Sequence, residues 1–172
     1  MGERNVARAT DRYEKKREDI LDAATVILNQ LGVKGLTLSV AAGAVGLSTT
    51  SVTYYFKRKD DLAAACLMRG VDWLAHLAES AQAIDDPAER LALVFDLHLE
   101  RLRLTATGQA PPLPVLSDIR ALNQPRRGEV FAAYMKAFRR MRQIFDAPEL
   151  AWLTRGRRSE EHTSELQSRA YL

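Results

Sequence analysis

Between positions 48 and 59 the chain reads STTSVTYYFKRK, a run of hydroxyls closed by aromatic rings and cations. If this run is a short helix, Ser48 stands at its cap position. Thr49, Thr50, Ser51, Thr53 and Tyr54 then fall on its outward face. A small, uncharged, hydroxyl-rich face suits base edges and phosphate oxygens, and threonine methyls can meet thymine methyls. Lys57, Arg58 and Lys59 follow at once, and Lys59 opens the next helix, where backbone N–H groups can also serve a phosphate. The plainer alternative for the three cations is a wet turn. Elsewhere the polar groups make poorer chemistry. Asp72, His76 and Glu79 share a helical face, but no cysteine or second histidine joins them as a metal set. His98, between Asp96 and Glu100, has no serine or cysteine partner at a defined spacing. With no nucleophile elbow, phosphate-cradling glycine loop or paired carboxylates, no catalytic residue, metal or cofactor is expected.

Two helices are needed to present that run. Ala42 and Gly46 lie four residues apart, where a small residue permits close crossing and a glycine takes the positive φ of a turn. Val40, Val45, Leu47 and Val52 fall where two crossing helices bury a shared seam. Taken alone, this spacing fits an ordinary helical hairpin equally well. Ahead of it, Ile20, Ala23, Ala24, Ile27 and Leu31 recur at helical spacing, predicting a first helix from about Arg12 to Leu31. Thr37 caps the second helix, the third spans about Thr49 to Phe56, and the fourth runs from Lys59 to about Ile84. Asp86 followed by Pro87 starts a fifth, reaching about Thr105. Gly108 to Pro114 reads as a loop, Val115 to Leu122 as a short helix, and Pro125 opens a helix to Phe145. Pro148 starts a last segment. The expected class is all-α.

Composition agrees with helices: 47% of the 172 residues are apolar, without clustering of β-branched types. The net charge of +3 is too mild to announce nucleic-acid binding by itself. Local placement says more, because Arg4, Arg8, Arg12, Lys15, Lys16 and Arg17 form a basic arm entering the first helix. Such arms can lie along phosphates or in a minor groove; a solvated helix face is the alternative. The single cysteine, Cys66, permits no intramolecular disulfide and reads as a small buried residue. The opening MGERNVARAT has no apolar core of the secretory kind, and no run is long enough to cross a membrane. A cytoplasmic location without membrane partners is expected.

The segment from about residue 15 to 65 resembles the DNA-binding domain of the TetR family of bacterial transcriptional regulators. The resemblance rests on Thr37, Ala42, Gly46, Leu47, Ser48, Val52, Tyr54-Tyr55-Phe56 and Lys59-Asp60-Asp61-Leu62, with Ile20 to Leu38 similar to the family's first helix and its exit. Ala41 stands where a larger aliphatic is usual, Thr50 where glycine is common and Thr53 where tyrosine is common. The last two lie on the reading surface and bear on operator sequence, not on fold. The resemblance implies a three-helix helix-turn-helix domain over 1–62, followed by a truncated helical ligand-binding and dimerisation domain of which 63–157 is the incomplete effector-binding part. It implies that Thr49, Thr50 and Thr53 face bases, that Tyr54 and Tyr55 reach the backbone, and that Lys59 and Thr37 approach phosphates, with Ser48 and Ser51 on the same helix. Trp73, Phe95, His98, Tyr134 and Phe138 fall on helices that enclose an effector cavity in the family. The implied partners are a double-stranded operator, an unidentified small-molecule effector and a second copy of the full-length protein. A small-molecule carrier or enzyme with a merely structural hairpin is the rival reading.

Residues 158–168, RSEEHTSELQS, match codon by codon the translation of a common sequencing adapter. Positions 158–172 are therefore read as a non-native tail. On that reading, the two further helices expected of the family's dimer bundle are cut off after about Arg157, and these 172 residues should bind an operator weakly.

Overall fold

A computed structural model describes residues 2–144, 146 and 148–150, with side chains described from Thr10 onward. The adapter-like tail and the segment from 151 lie outside the described residues. Among the described residues six α-helices follow in order: α1 (Gly2–Gly35), α2 (Leu38–Ala44), α3 (Thr49–Tyr55), α4 (Lys59–Gln82), α5 (Pro87–Ala106) and α6 (Arg126–Ile144). A 3₁₀ segment, Leu116–Ala121, lies between α5 and α6. Among the described residues there is no strand, in keeping with the all-α expectation.

The start and stop chemistry sits where the residue types put it. Thr37 Oγ1 accepts the Val40 N–H at 3.1 Å, and Ser48 Oγ accepts the Ser51 N–H at 3.1 Å. Asp86 Oδ1 accepts from Ala88 and Glu89 at 2.9 and 2.8 Å, with Pro87 in the first turn of α5. Gly46 takes φ 65°, the left-handed backbone that the turn between α2 and α3 requires. Three expectations need correction. The first helix begins well before Arg12, and its regular course breaks at Gly32, with φ 69° and ψ 176°. Leu31, just before that break, is exposed; Leu21 and Leu28 take the buried places with Ile20 and Ala24. Val40 is also exposed, and the fully buried Ala41 takes the seam position instead, one residue further along the helix.

One core joins both halves of the chain. Ile20, Leu28, Leu36, Val52, Leu62 and Leu67 are almost fully buried within it. Each such side chain contributes about 1.5–3 kcal/mol by leaving water. α4 is the spine, packing on α1 on one side and most extensively on α6 on the other. Two polar clasps fasten the far end of α1. Asn29 donates to Leu113 O and accepts from Val115 N, both at 2.9 Å, and Asp118 accepts the Val33 N–H at 2.8 Å. The 3₁₀ corner thereby holds α1 just beyond its Gly32 kink.

Candidate nucleic-acid interface

α3 has seven residues, too few to persist alone, so its orientation comes from its ends and its buried stripe. Ser48 caps the start, and the Ser48 and Ser51 hydroxyls lie 2.8 Å apart. Val52 is fully buried beneath it, and Phe56, its C-cap residue, is 4% exposed. The Arg17 guanidinium of α1 lies 5.3 Å from the Phe56 ring centroid, closing the far end. Locked from below, α3 turns Thr49, Thr50, Ser51 and Tyr54 to solvent. Thr53 is half-buried, and its hydroxyl donates to Thr50 O at 2.7 Å. Its methyl and the remaining acceptor capacity of its oxygen are what it can offer a ligand. Tyr55 is half-buried and packs against the core.

The cations lie on the turn after α3 and on α1. Lys57 and Arg58 are exposed on the turn after α3, and Lys59 begins α4. Arg12 and Lys15 are exposed on α1, and Lys16 pairs with Asp19 at 3.2 Å. The side chains of Arg4 and Arg8 lie outside the described residues. Thr37 is exposed at the start of α2, its oxygen engaged by the cap. Sequence reasoning missed Tyr13. Its ring stacks on Tyr55 at 4.9 Å and meets Tyr54 edge-on at 5.7 Å. The signal was available: Tyr13 precedes Ile20 by seven residues and extends the inward stripe of α1 through a charged stretch.

The five residues assigned to an effector cavity fall into two pairs, Trp73 with His98 and Tyr134 with Phe138, with Phe95 in neither. Trp73 on α4 donates from Nε1 to His98 Nδ1 on α5 at 3.1 Å, and the Arg101 guanidinium lies 5.5 Å from the Trp73 ring. Burial, helped by the nearby Arg69 charge, pulls the Arg101 pKa below its ordinary value. Tyr134 and Phe138 stack on α6 at 5.9 Å, and Tyr134 borders a separate hollow beside the 3₁₀ corner. Phe95 is 58% exposed on α5 and Phe138 44% exposed on α6. A cavity of about 570 Å³ opens elsewhere, between α1, α4 and α6, with Arg17, Asp61, Arg69 and Arg126 in its walls. Of the acidic set on α4, Glu79 is bonded to Arg140 at 2.7 Å, and His76 packs on Trp73.

No family model matches the chain. It is 27% identical over 155 residues to the HTH-type transcriptional regulator BetI of Burkholderia mallei (strain NCTC 10229), covering 83% of this chain and 80% of that protein. The regulator of the same name from Burkholderia thailandensis is 30% identical over 95 residues, which is 54% of this chain and 49% of that one. Among solved structures, the TetR family transcriptional regulator PfmR from Thermus thermophilus superposes with a TM-score of 0.54 at 18% identity, over 80% of this chain and 79% of that one. That likeness bears on the fold.

Proposed function

We propose that the chain is a DNA-binding transcriptional regulator of the TetR kind, acting as a ligand-responsive repressor in the cytoplasm, without catalysis. The observation that carries this reading is the solvent-facing hydroxylated side of α3, capped by Ser48 and braced from below by Val52 and Phe56. Residues 1–62 form the reading domain. Thr49, Thr50 and Thr53 meet base edges in the major groove, while Ser51, Tyr54, Tyr55, Lys59 and Thr37 meet the sugar-phosphate backbone. Residues 63–157 carry the effector site, and the dimer contacts come from bundle helices of the full-length protein. Two copies read half-sites about 34–36 Å apart, or a multiple of that. An effector that prefers a different subunit spacing then releases the operator.

The test is a mobility-shift titration on the duplex upstream of the protein's own gene at several salt concentrations. Binding should weaken steeply as salt rises, because neutralised phosphates release counterions. Lys59→Ala should weaken binding on every sequence and shrink the salt slope by about 1. Absent or salt-independent binding by the full-length protein overturns the proposal.

A further inference from the structure

Tyr13, Tyr54 and Tyr55 form a closed set of three rings, in which every ring touches the other two. Tyr13 and Tyr55 stack at 4.9 Å with 27° between planes. Tyr54 meets Tyr13 at 5.7 Å and Tyr55 at 5.3 Å, both edge-on. One turn further along α1, Arg17 covers Phe56. Two successive turns of α1 thus grip the last turn of α3. Without the upper grip, Tyr54, 66% exposed, would be held only by its neighbour on the same short helix. Offset-stacked and edge-to-face pairs are the favoured ring geometries. They fix orientation as well as distance, and a side chain held in its binding pose loses less freedom on binding. The same contact sets the register of α1, whose Arg12 and Lys15 are exposed beside Tyr13.

We propose that Tyr13 is a positioning residue for duplex recognition: its ring, not its hydroxyl, fixes Tyr54 and the basic stretch of α1 against the reading helix. This rests on the DNA-binding reading above. The ring set makes groove and phosphate contacts arrive as one rigid surface, so losing it disturbs both.

The experiment compares the full chain with Tyr13→Phe, Tyr13→Leu and Tyr13→Ala on the same duplex, across salt, with thermal unfolding alongside. Tyr13→Phe keeps the stack and should bind as the parent does. Tyr13→Leu, which fills the space without a ring, and Tyr13→Ala should each lose about tenfold in affinity. Their salt slope should shrink by about 1 as the α1 cations fall out of register. Combined with Tyr54→Ala, either loss should be smaller than the sum of the single losses. A Tyr13→Phe defect as large as that of Tyr13→Leu overturns the proposal, because the hydroxyl would then be the contact. Parent-like affinity and slope in Tyr13→Leu also overturn it. A parent chain that binds no duplex removes the underlying reading as well, which separates that failure from the other two.

Discussion

Arg126 donates from Nε to Asp61 Oδ1 at 2.8 Å, joining the first turn of α6 to the first turn of α4. The other oxygen of the same carboxylate, Asp61 Oδ2, accepts the N–H of Arg58, the N-cap residue of α4, at 3.1 Å. One side chain thus caps the helix that follows the reading helix and ties it to the second half of the chain. Arg126 also reaches Glu129 at 2.7 Å, so its fork is held from both sides. The Glu129 and Asp61 bonds together raise the guanidinium pKa.

Exposed ion pairs add little to global stability, so the effect of Arg126→Ala should be local. Hydrogen exchange at Arg58 and Leu62 should quicken severalfold while the melting temperature stays nearly unchanged. Asp61→Ala, which also removes the cap, should quicken exchange further. Unchanged exchange in both variants would show that the bridge does not hold the start of α4.

The cap of α3 admits a graded test. Ser48→Ala should destabilise the protein by about 1 kcal/mol, and Ser48→Gly by only a few tenths, because glycine leaves the orphan N–H groups open to water. Urea denaturation reads both. Equal costs would mean that the Ser48–Ser51 hydroxyl contact, and not the backbone cap, carries the stability.

Much of this was legible beforehand because it is local. The caps at Thr37, Ser48 and Asp86 and the turn at Gly46 each depend on a few adjacent residues, and their types state the geometry. Pairings across the chain were not legible. Nothing adjacent to Arg126 announces Asp61 as its partner, and nothing near Asn29 announces the loop at Leu113 and Val115. At the α2 seam the buried side chain is Ala41 and not Val40, a shift of one residue that the phase of a seven-residue helix leaves open. The effector residues were assigned by helix, and a helix has more than one face, so the sequence did not state that Phe95 and Phe138 are exposed.

Two glycines should respond to alanine with opposite signs. A Cβ at Gly43 in α2 meets nothing within 4 Å, so Gly43→Ala should stabilise by about 0.5–1 kcal/mol through helix propensity and lost chain entropy. A Cβ at Gly70 in α4 would lie 2.7 Å from Pro114 Cγ and 2.9 Å from Leu116 Cδ2. Overpacking of that kind costs about 1–3 kcal/mol, which outweighs the propensity gain. Thermal unfolding should place Gly43→Ala above the parent and Gly70→Ala below it. A stabilised Gly70→Ala would show that the Pro114 loop moves aside freely.

Cys66 gives the chain an alkaline weakness. It is completely buried on α4, and burial is the main cause raising its pKa from 9.0 to about 11, partly offset by Thr25. Below pH 9 the thiol is protonated whether the chain is folded or not, and its contribution does not vary with pH. Above pH 9 the unfolded chain releases the proton while the folded chain retains it, so the unfolded state binds fewer protons and stability falls as pH rises. The slope approaches about 1.4 kcal/mol per pH unit between the two pKa values and flattens once the folded thiol ionises near 11. Cys66→Ala should remove that component, so the stability difference between parent and variant should be constant to pH 9 and shrink above it. Urea melts from pH 7 to 10.5 measure this, with other titrating groups cancelling in the difference. In the folded protein at pH 8 the thiol should also resist disulfide reagents until urea opens the core. A pH-independent difference, or rapid labelling of the folded chain, would mean that the packing of α4 against α1 admits solvent to the sulfur.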